Sequence, residues 1–386
     1  MAGSAQTMKA PEAGQIDAAL ALFRKAGHTL ADPPILQPAD LFLDLTGEDI
    51  RRRLYLTSGA NGVDLCLRPD FTIPVCRAHL DAFGASKPAA YCYHGPVFRQ
   101  RAEGLGEIPQ IGAESFGDPH INAADAAMLA LSVKAIHGFN IAEPQIRIGD
   151  EGLFVAVLSA LGLPNVWQRR LRDLFGEGAK LDAALDRMAG TAGDQMDADN
   201  RSGLLAALHG SDPDAAQTIV EDLLSIAGIS TVSGRSASEI AQRFLEQAAL
   251  TSGTADLASA ARILKDYLAL QAPCDRAGDL LTAFANSHGM DLSAAIDTFE
   301  ARVAAFAGKS LEPSDMTFHA GFGRRLDYYT GFIFEIYGPA GNQGGPLVGG
   351  GRYDRLLNLL GAGEDIPAIG FSIWLDRVAA AQEMCA

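Results

Sequence analysis

The chain has 386 residues, 48% of them hydrophobic and 20% charged, which suits two domains, or one large domain with an insertion, and excludes a disordered polypeptide. Its 31 basic and 47 acidic residues give a formal net charge of −16, which argues against a broad phosphate-gripping surface while leaving room for a local basic patch. Five cysteines with no C-x-x-C pair argue for reduced, buried thiols in a cytoplasmic chain and against a zinc site.

The first fifteen residues carry no hydrophobic run, so no signal peptide is expected, and no stretch reaches membrane-spanning length without charges. Helical rhythm begins near Ala13 and runs to about Gly27, with Ile16, Leu20, Leu22 and Phe23 on one face. A proline-punctuated extended stretch follows. Short strand-like runs are predicted at Leu54–Thr57, Val63–Leu67, Tyr91–Tyr93 and around Ile111, with a helix over Thr72–Ala82. Strands this close together favour an antiparallel sheet with helices packed on it, an α+β fold.

After a short strand at Gln145–Ile148 the chain turns rich in Ala, Leu, Asp and Arg with helical periodicity, broken at Gly162–Pro164 and Gly228–Ser230. Residues 150–309 therefore read as a helical insertion, flanked by core segments 1–149 and 310–386. Strands return at Met316–Ala320, Phe332–Tyr337 and Ala368–Ser372. The run Gly349–Gly351 precedes a short helix at Tyr353–Leu360, and a last helix starts near Ile373.

Four clusters could carry chemistry. In Leu67–Thr72, Asp70 at a strand end could hold an ammonium group or cap the following helix, with Thr72 assisting. In Gln110–Glu114, period-two alternation puts Gln110, Gly112 and Glu114 on one face. That face is either the floor of a small-molecule pocket with open space at Gly112, or a solvated edge. In Arg324–Glu335, Tyr328 and Tyr329 beside arginines could cradle a planar ring and a carboxylate, or form an aromatic core ladder. For both tyrosines to reach one pocket the chain must turn near Thr330-Gly331. The fourth cluster, Gly349–Asp354 with Gly370–Arg377, offers close backbone approach but no phosphate loop, since no Gly-Lys-Ser/Thr follows. No spacing suits a metal, no cofactor is expected, and His79, His94 and His319 read as ordinary half-buried residues.

Taken in order, the clusters resemble histidyl-tRNA synthetase over roughly residues 12–145 and 315–380. Leu67–Thr72 looks like the segment holding the amino group of histidine. Phe98-Arg99 looks like the start of class II motif 2, and Arg324–Glu335 like the histidine-specific segment. Gly350–Asp354 and Gly370–Arg377 look like the strand and motif 3 helix that close the site, and Pro38 matches the motif 1 proline of the dimer interface. Three features depart from the pattern. Arg101 stands where motif 2 has a glutamate, Asp70 is one methylene shorter than the synthetase residue, and the Gln100–Pro109 loop is short and carries two acidic residues. The sequence also ends soon after motif 3, so an anticodon-binding domain is not expected.

This combination resembles the regulatory subunits of ATP phosphoribosyltransferase, especially in GEDIRRRLYLT, LRPDFTIPVCR and RLDYYTGFIFEIY. The resemblance implies a non-catalytic subunit in the first step of histidine biosynthesis. It implies assembly with a short-form catalytic subunit, feedback inhibition by histidine, and a homodimer inside a hetero-oligomer, with neither tRNA nor membrane as partner. It assigns Asp70 and Thr72 to the ammonium group of histidine, with Gln110 joining them. Glu114, Tyr329 and Tyr353 would frame the imidazole, with Tyr328 in a lesser role, and Arg324 would bind the carboxylate. Arg99 and Arg377 match the ATP-phosphate arginines of the synthetases. The alternatives are a histidine-adenylating enzyme, for which Arg99, Arg324 and Arg377 speak, and a histidine sensor with another partner.

Overall fold

A computed structural model describes residues 10–45, 48–60, 62–84, 87–101, 106–190, 231–232, 235–236, 255–324, 328–339, 341 and 344–385. The break expected at Gly228–Ser230 and the Arg325–Asp327 part of the third cluster lie outside these residues.

The chain forms two compact units. One comprises residues 1–156 and 268–386, the other 157–267. The first is built on a nine-stranded sheet in the order β1-β5-β6-β14-β13-β12-β7-β11-β10. These are β1 Thr29–Leu30, β5 Ala89–Phe98, β6 Glu107–Phe116, β7 Gln145–Asp150, β10 Gln271–Pro273, β11 Met316–His319, β12 Phe332–Tyr337, β13 Val348–Arg352 and β14 Ala368–Trp374. Pairing is antiparallel except where β1 meets β5 and β7 meets β11. A smaller antiparallel sheet joins β2 Leu36–Pro38, β4 Asp64–Leu67 and β3 Leu56–Ser58 in that order.

Register decides what each face of the large sheet carries, because residues opposite one another across antiparallel strands point the same way. Ile111, Phe371, Gly350 and Phe334 belong to the apolar face, where Phe334 packs against the position a Gly350 side chain would take. Helix α1, Ala13–Lys25, lies on this face, with the Phe23 and Phe371 rings edge-to-face at 5.6 Å. Helix α5, Ile121–Gly138, is buried along most of its length, and its many alanines allow close approach to the sheet. The opposite face carries Tyr93, Gly112, Ser372, Gly349 and Glu335 in one cross-strand row, and Glu114, Gly370 and Gly351 in the next.

Helix α4, Thr72–Phe83, follows β4, as the sequence predicts. The expected helix at Tyr353–Leu360 is reduced to a turn followed by an irregular helical segment that ends at Ala362. Its regular bonding is interrupted at Gly361, whose φ is +105°. The last helix, α12 Leu375–Cys385, starts two residues later than predicted because β14 runs on to Trp374.

The described residues of the stretch 150–309 divide between the two units. Helix α6, Glu151–Ala160, carries the chain out of the first unit after Ala156. The second unit holds α7 Asn165–Asp173, α8 Gly178–Met188, the two-residue strands β8 Thr231–Val232 and β9 Arg235–Ser236, and α9 Ala255–Leu268 up to Tyr267. Its buried side chains include Trp167, Leu171, Leu185 and Leu264. Strand β10 and helices α10 Cys274–His288 and α11 Ser293–Ala307 belong to the first unit, since β10 adds an edge to the large sheet and α11 packs on α5. Cys66, Cys76, Cys92 and Cys274 are free and buried.

Candidate functional site

The polar face of the sheet is paved with glycines, and each leaves room for a side chain from elsewhere. A Cβ on Gly370 would strike the Glu114 carboxylate, one on Gly349 the Arg324 guanidinium, one on Gly112 the Tyr93 hydroxyl, and one on Gly351 the Tyr329 ring. These polar groups therefore lie flat on the strands instead of standing off them. The open space expected at Gly112 is filled by Tyr93, its register partner on β5.

Glu114 sits at the centre and is fully buried. Thr72 Oγ1 donates to its Oε1 at 2.8 Å and the Tyr93 hydroxyl to the same oxygen at 3.2 Å, while the Tyr353 hydroxyl donates to Oε2. Burial pushes the Glu114 carboxyl up to about 8, against the pull of these three hydroxyls, with the nearby Asp70 charge adding to the rise. When this carboxyl carries its proton it donates to one of the three hydroxyls, which then turns from donor to acceptor.

Asp70 takes the capping role its sequence position allows and keeps one carboxylate oxygen free. Its Oδ1 accepts from the Ile73 backbone N–H at 3.2 Å in the first turn of α4, and its Oδ2 is buried without a partner. Burial raises its pKa, and Arg99 works against that rise. Thr72 does not assist the cap, because its hydroxyl proton goes to Glu114. Gln110, 1% exposed, has no partner for either Nε2 or Oε1. A buried amide and a buried carboxylate oxygen left unpaired are costly unless something else meets them.

Tyr328 and Tyr329 are both buried, their rings 5.4 Å apart, and Tyr328 meets the Tyr353 ring edge-on at 5.9 Å. The chain turns here as required: Thr330 N–H donates to Arg352 O at 2.9 Å, and Gly331 O accepts from Glu151 N–H at 3.0 Å. Arg324 lies over the rings of Tyr329 and Trp374 and donates from Nη1 to Glu335 Oε1 at 2.9 Å, while its buried Nε has no partner. Burial opposes its charge, but Tyr329 and Glu335 more than offset that, so its pKa ends above the ordinary value.

The two remaining predicted arginines are tied to backbone. Arg99 donates from Nε to Pro69 O at 2.7 Å, and Arg377 from Nη1 to Pro346 O at 2.7 Å. Arg101 pairs with Asp376 at 3.3 Å, and the two line a cavity of about 510 Å³ together with Arg377, Gly344 and Gly345. The structure thus gathers Asp70, Thr72, Gln110, Glu114, Arg324, Tyr328, Tyr329 and Tyr353 around one end of the polar face, with Arg99 and Arg377 beside them. Tyr93, Ser372 and Glu335 belong to the same set and were not predicted as site residues. Tyr93 is bonded to Glu114 and, at 2.7 Å, to Ser372 Oγ. Opposite placement to Gly112 is the signal that would have found Tyr93, and it requires register that composition does not supply. Among the described residues no group of His, Cys, Asp and Glu could hold a metal, and no helix is long and apolar enough to cross a membrane.

The sheet and the helices packed on it define a class II synthetase-like protein. A family model described as Histidyl-tRNA synthetase matches residues 10–223 and 215–378. Two solved structures share the fold. One, from Bacillus halodurans, is called an ATP phosphoribosyltransferase regulatory subunit/histidyl-tRNA synthetase. It has a TM-score of 0.61 at 18% identity, covering 95% of this chain and 78% of that one. The other, a histidine–tRNA ligase subunit from Alicyclobacillus acidocaldarius, has a TM-score of 0.58 at 22% identity, covering 100% and 98%. A curated relative from Brucella anthropi, named ATP phosphoribosyltransferase regulatory subunit, is 43% identical over 90% of this chain and 92% of its own length. The chain belongs to the family of ATP phosphoribosyltransferase regulatory subunits, within the histidyl-tRNA synthetase-like fold.

Proposed function

We propose that this chain is the regulatory subunit of an ATP phosphoribosyltransferase, acting in the first step of histidine biosynthesis, and that it binds free histidine on the polar face. The observation that carries the reading is a complementary set of unpaired buried groups: Asp70 Oδ2, both ends of the Gln110 amide, and Arg324 Nε. An acceptor, an amide and a cationic donor match an ammonium group, a polar link and a carboxylate. Glu114, with Tyr329 and Tyr353 beside it, supplies a donor–acceptor wall for an imidazole. In this reading Asp70, Thr72 and Gln110 hold the ammonium group, Arg324 the carboxylate, and Tyr328 closes the pocket behind Tyr353.

The subunit has no catalytic activity of its own. It assembles with a short-form catalytic subunit, activates it, and lets histidine inhibit it. Three features support the absence of adenylation. Arg101 cannot accept a hydrogen bond from an adenine amino group where a glutamate could. Arg99 and Arg377 each commit one donor to a backbone carbonyl, which leaves an incomplete guanidinium fork for a phosphate. Arg101 is held by Asp376 beside the cavity that Arg377 lines. A homodimeric core is supported by apolar side chains exposed along the small sheet, Leu36, Leu56 and Val63 among them.

Calorimetry is expected to detect histidine binding, and an Asp70→Ala, Arg324→Ala double variant to lose it. Unchanged binding or wild-type inhibition in that variant would overturn the assigned pocket. No histidyl-tRNA should form with purified protein, and histidine-dependent pyrophosphate exchange would instead establish the adenylating enzyme.

A further inference from the structure

Arg324 lies against the sheet and over the rings of Tyr329 and Trp374. Its guanidinium rests on β13 at Gly349, where a Cβ would collide with it. Glu335, the register partner of Gly349 on β12, takes Nη1 at 2.9 Å. The second carboxylate oxygen of Glu335 accepts from the Tyr337 hydroxyl at 2.5 Å, and the Arg147 guanidinium covers the Tyr337 ring at 5.1 Å. A line of contacts thus runs from β7 across β12 to the pocket, ending on the arginine whose Nε has no partner. The Arg324 and Glu335 side chains are only 11% and 15% exposed, so the pair is shielded from water and strongly directional.

An arginine loses side-chain conformational entropy when it is ordered, and a ligand that had to order it would bind more weakly. Glu335 has already ordered it, and in doing so occupies a single Nη. The guanidinium keeps its Nε donor without a partner.

We propose that Glu335 is the positioning residue of the carboxylate subsite, fixing Arg324 with Nε available to an amino-acid carboxylate, and that Tyr337 fixes Glu335 in turn. The proposal rests on the reading of Arg324 as the carboxylate anchor, so the test separates the two. Calorimetry would compare histidine with its amide, in which a neutral carboxamide replaces the carboxylate. The proteins are the native full-length chain, E335A, E335Q and Y337F, each first checked for a native unfolding transition.

The native protein is expected to prefer histidine to the amide by at least about tenfold. E335A should lose about tenfold in histidine affinity and nothing in amide affinity. E335Q, which keeps an oxygen for Nη1, and Y337F should each fall between native and E335A. Equal losses for both ligands in E335A and Y337F would reduce Glu335 to a structural role and overturn the proposal. A gain in histidine affinity in E335A would also overturn it, by making Glu335 a competitor for Arg324. A native protein indifferent to the carboxylate would remove the anchor reading itself, and the positioning role with it.

Discussion

Glu114 shows how one buried residue can set a pH dependence. Its carboxyl is raised from 4.5 to about 8, chiefly by burial. Between those values the folded protein holds a proton that the unfolded chain has released, so stability falls as pH rises. The contribution is fully present below about 4.5 and is lost by about 8. Half-buried histidines with lowered pKa values, such as His28, act in the opposite sense, so the comparison must be a difference. Urea unfolding of native protein and E114Q across pH 5 to 8 should show the native protein losing stability relative to the variant. Parallel curves would mean that Glu114 is ionised throughout. Much of this pocket was legible as residue types: a carboxylate before a helix, alternating polar residues in Gln110–Glu114, and paired tyrosines after an arginine. What was not legible depended on partners far along the chain. Tyr93 and Glu335 look like ordinary strand residues until register sets them opposite Gly112 and Gly349.

The elements meet at a buried ion network that no local pattern announces. Arg302 of α11 holds Asp125 of α5 at 2.8 Å and Asp150 at the end of β7 at 2.5 Å, while Arg352 of β13 holds Asp125 at 2.5 Å and Asp354 at 2.9 Å. Arg352 and Asp354 flank Tyr353, so the network fixes one wall of the pocket as well as the helix packing. Removing one partner of a buried pair leaves the others uncompensated, which costs about 3–5 kcal/mol. Arg302→Met should lower the unfolding free energy by about that much in a urea titration, and a change within about 0.5 kcal/mol, typical of surface substitutions, would contradict the network's role. The small sheet makes a second prediction. Leu36 and Leu56 are 50% and 61% exposed, and a second copy of the chain would cover them. The native protein is expected to sediment as a dimer, and Leu36→Glu with Leu56→Glu to shift it to the 40.6 kDa monomer. A native monomer at micromolar concentration would refute the interface. At this scale, strands rich in aromatic and branched residues were readable from alternation. Strand β13 was not, since its triple glycine is a weak strand former. Strand β10 was hidden because three residues between helices carry no periodicity, and helical rhythm alone could not separate α10 and α11, which pack in the first unit, from the helices of the second.

For the whole molecule, regulation requires that a histidine pocket and a separate transferase site bias the same equilibrium. The proposed pocket lies on the first unit, built from residues more than 200 positions apart, such as Glu114 and Tyr353. Any shift of β6 against β13 would therefore be felt by the bound ligand, and ligand binding would in turn select one arrangement of those strands. Linkage then fixes a reciprocity. If histidine favours the inhibited assembly, substrates that favour the active assembly must weaken histidine binding by the same factor. A coupling of about 1–3 kcal/mol corresponds to roughly 5–150-fold. Calorimetry on the assembled complex, with and without saturating phosphoribosyl donor, should show histidine affinity falling by a factor in that range. Binding titrations of the donor on the same complex, with and without saturating histidine, should yield a matching factor. The Asp70→Ala, Arg324→Ala variant should still assemble and support transferase turnover, yet show neither shift. If histidine bound equally well in both conditions while still inhibiting the complex, its effect would fall on turnover and not on donor binding, and the proposed coupling would be refuted.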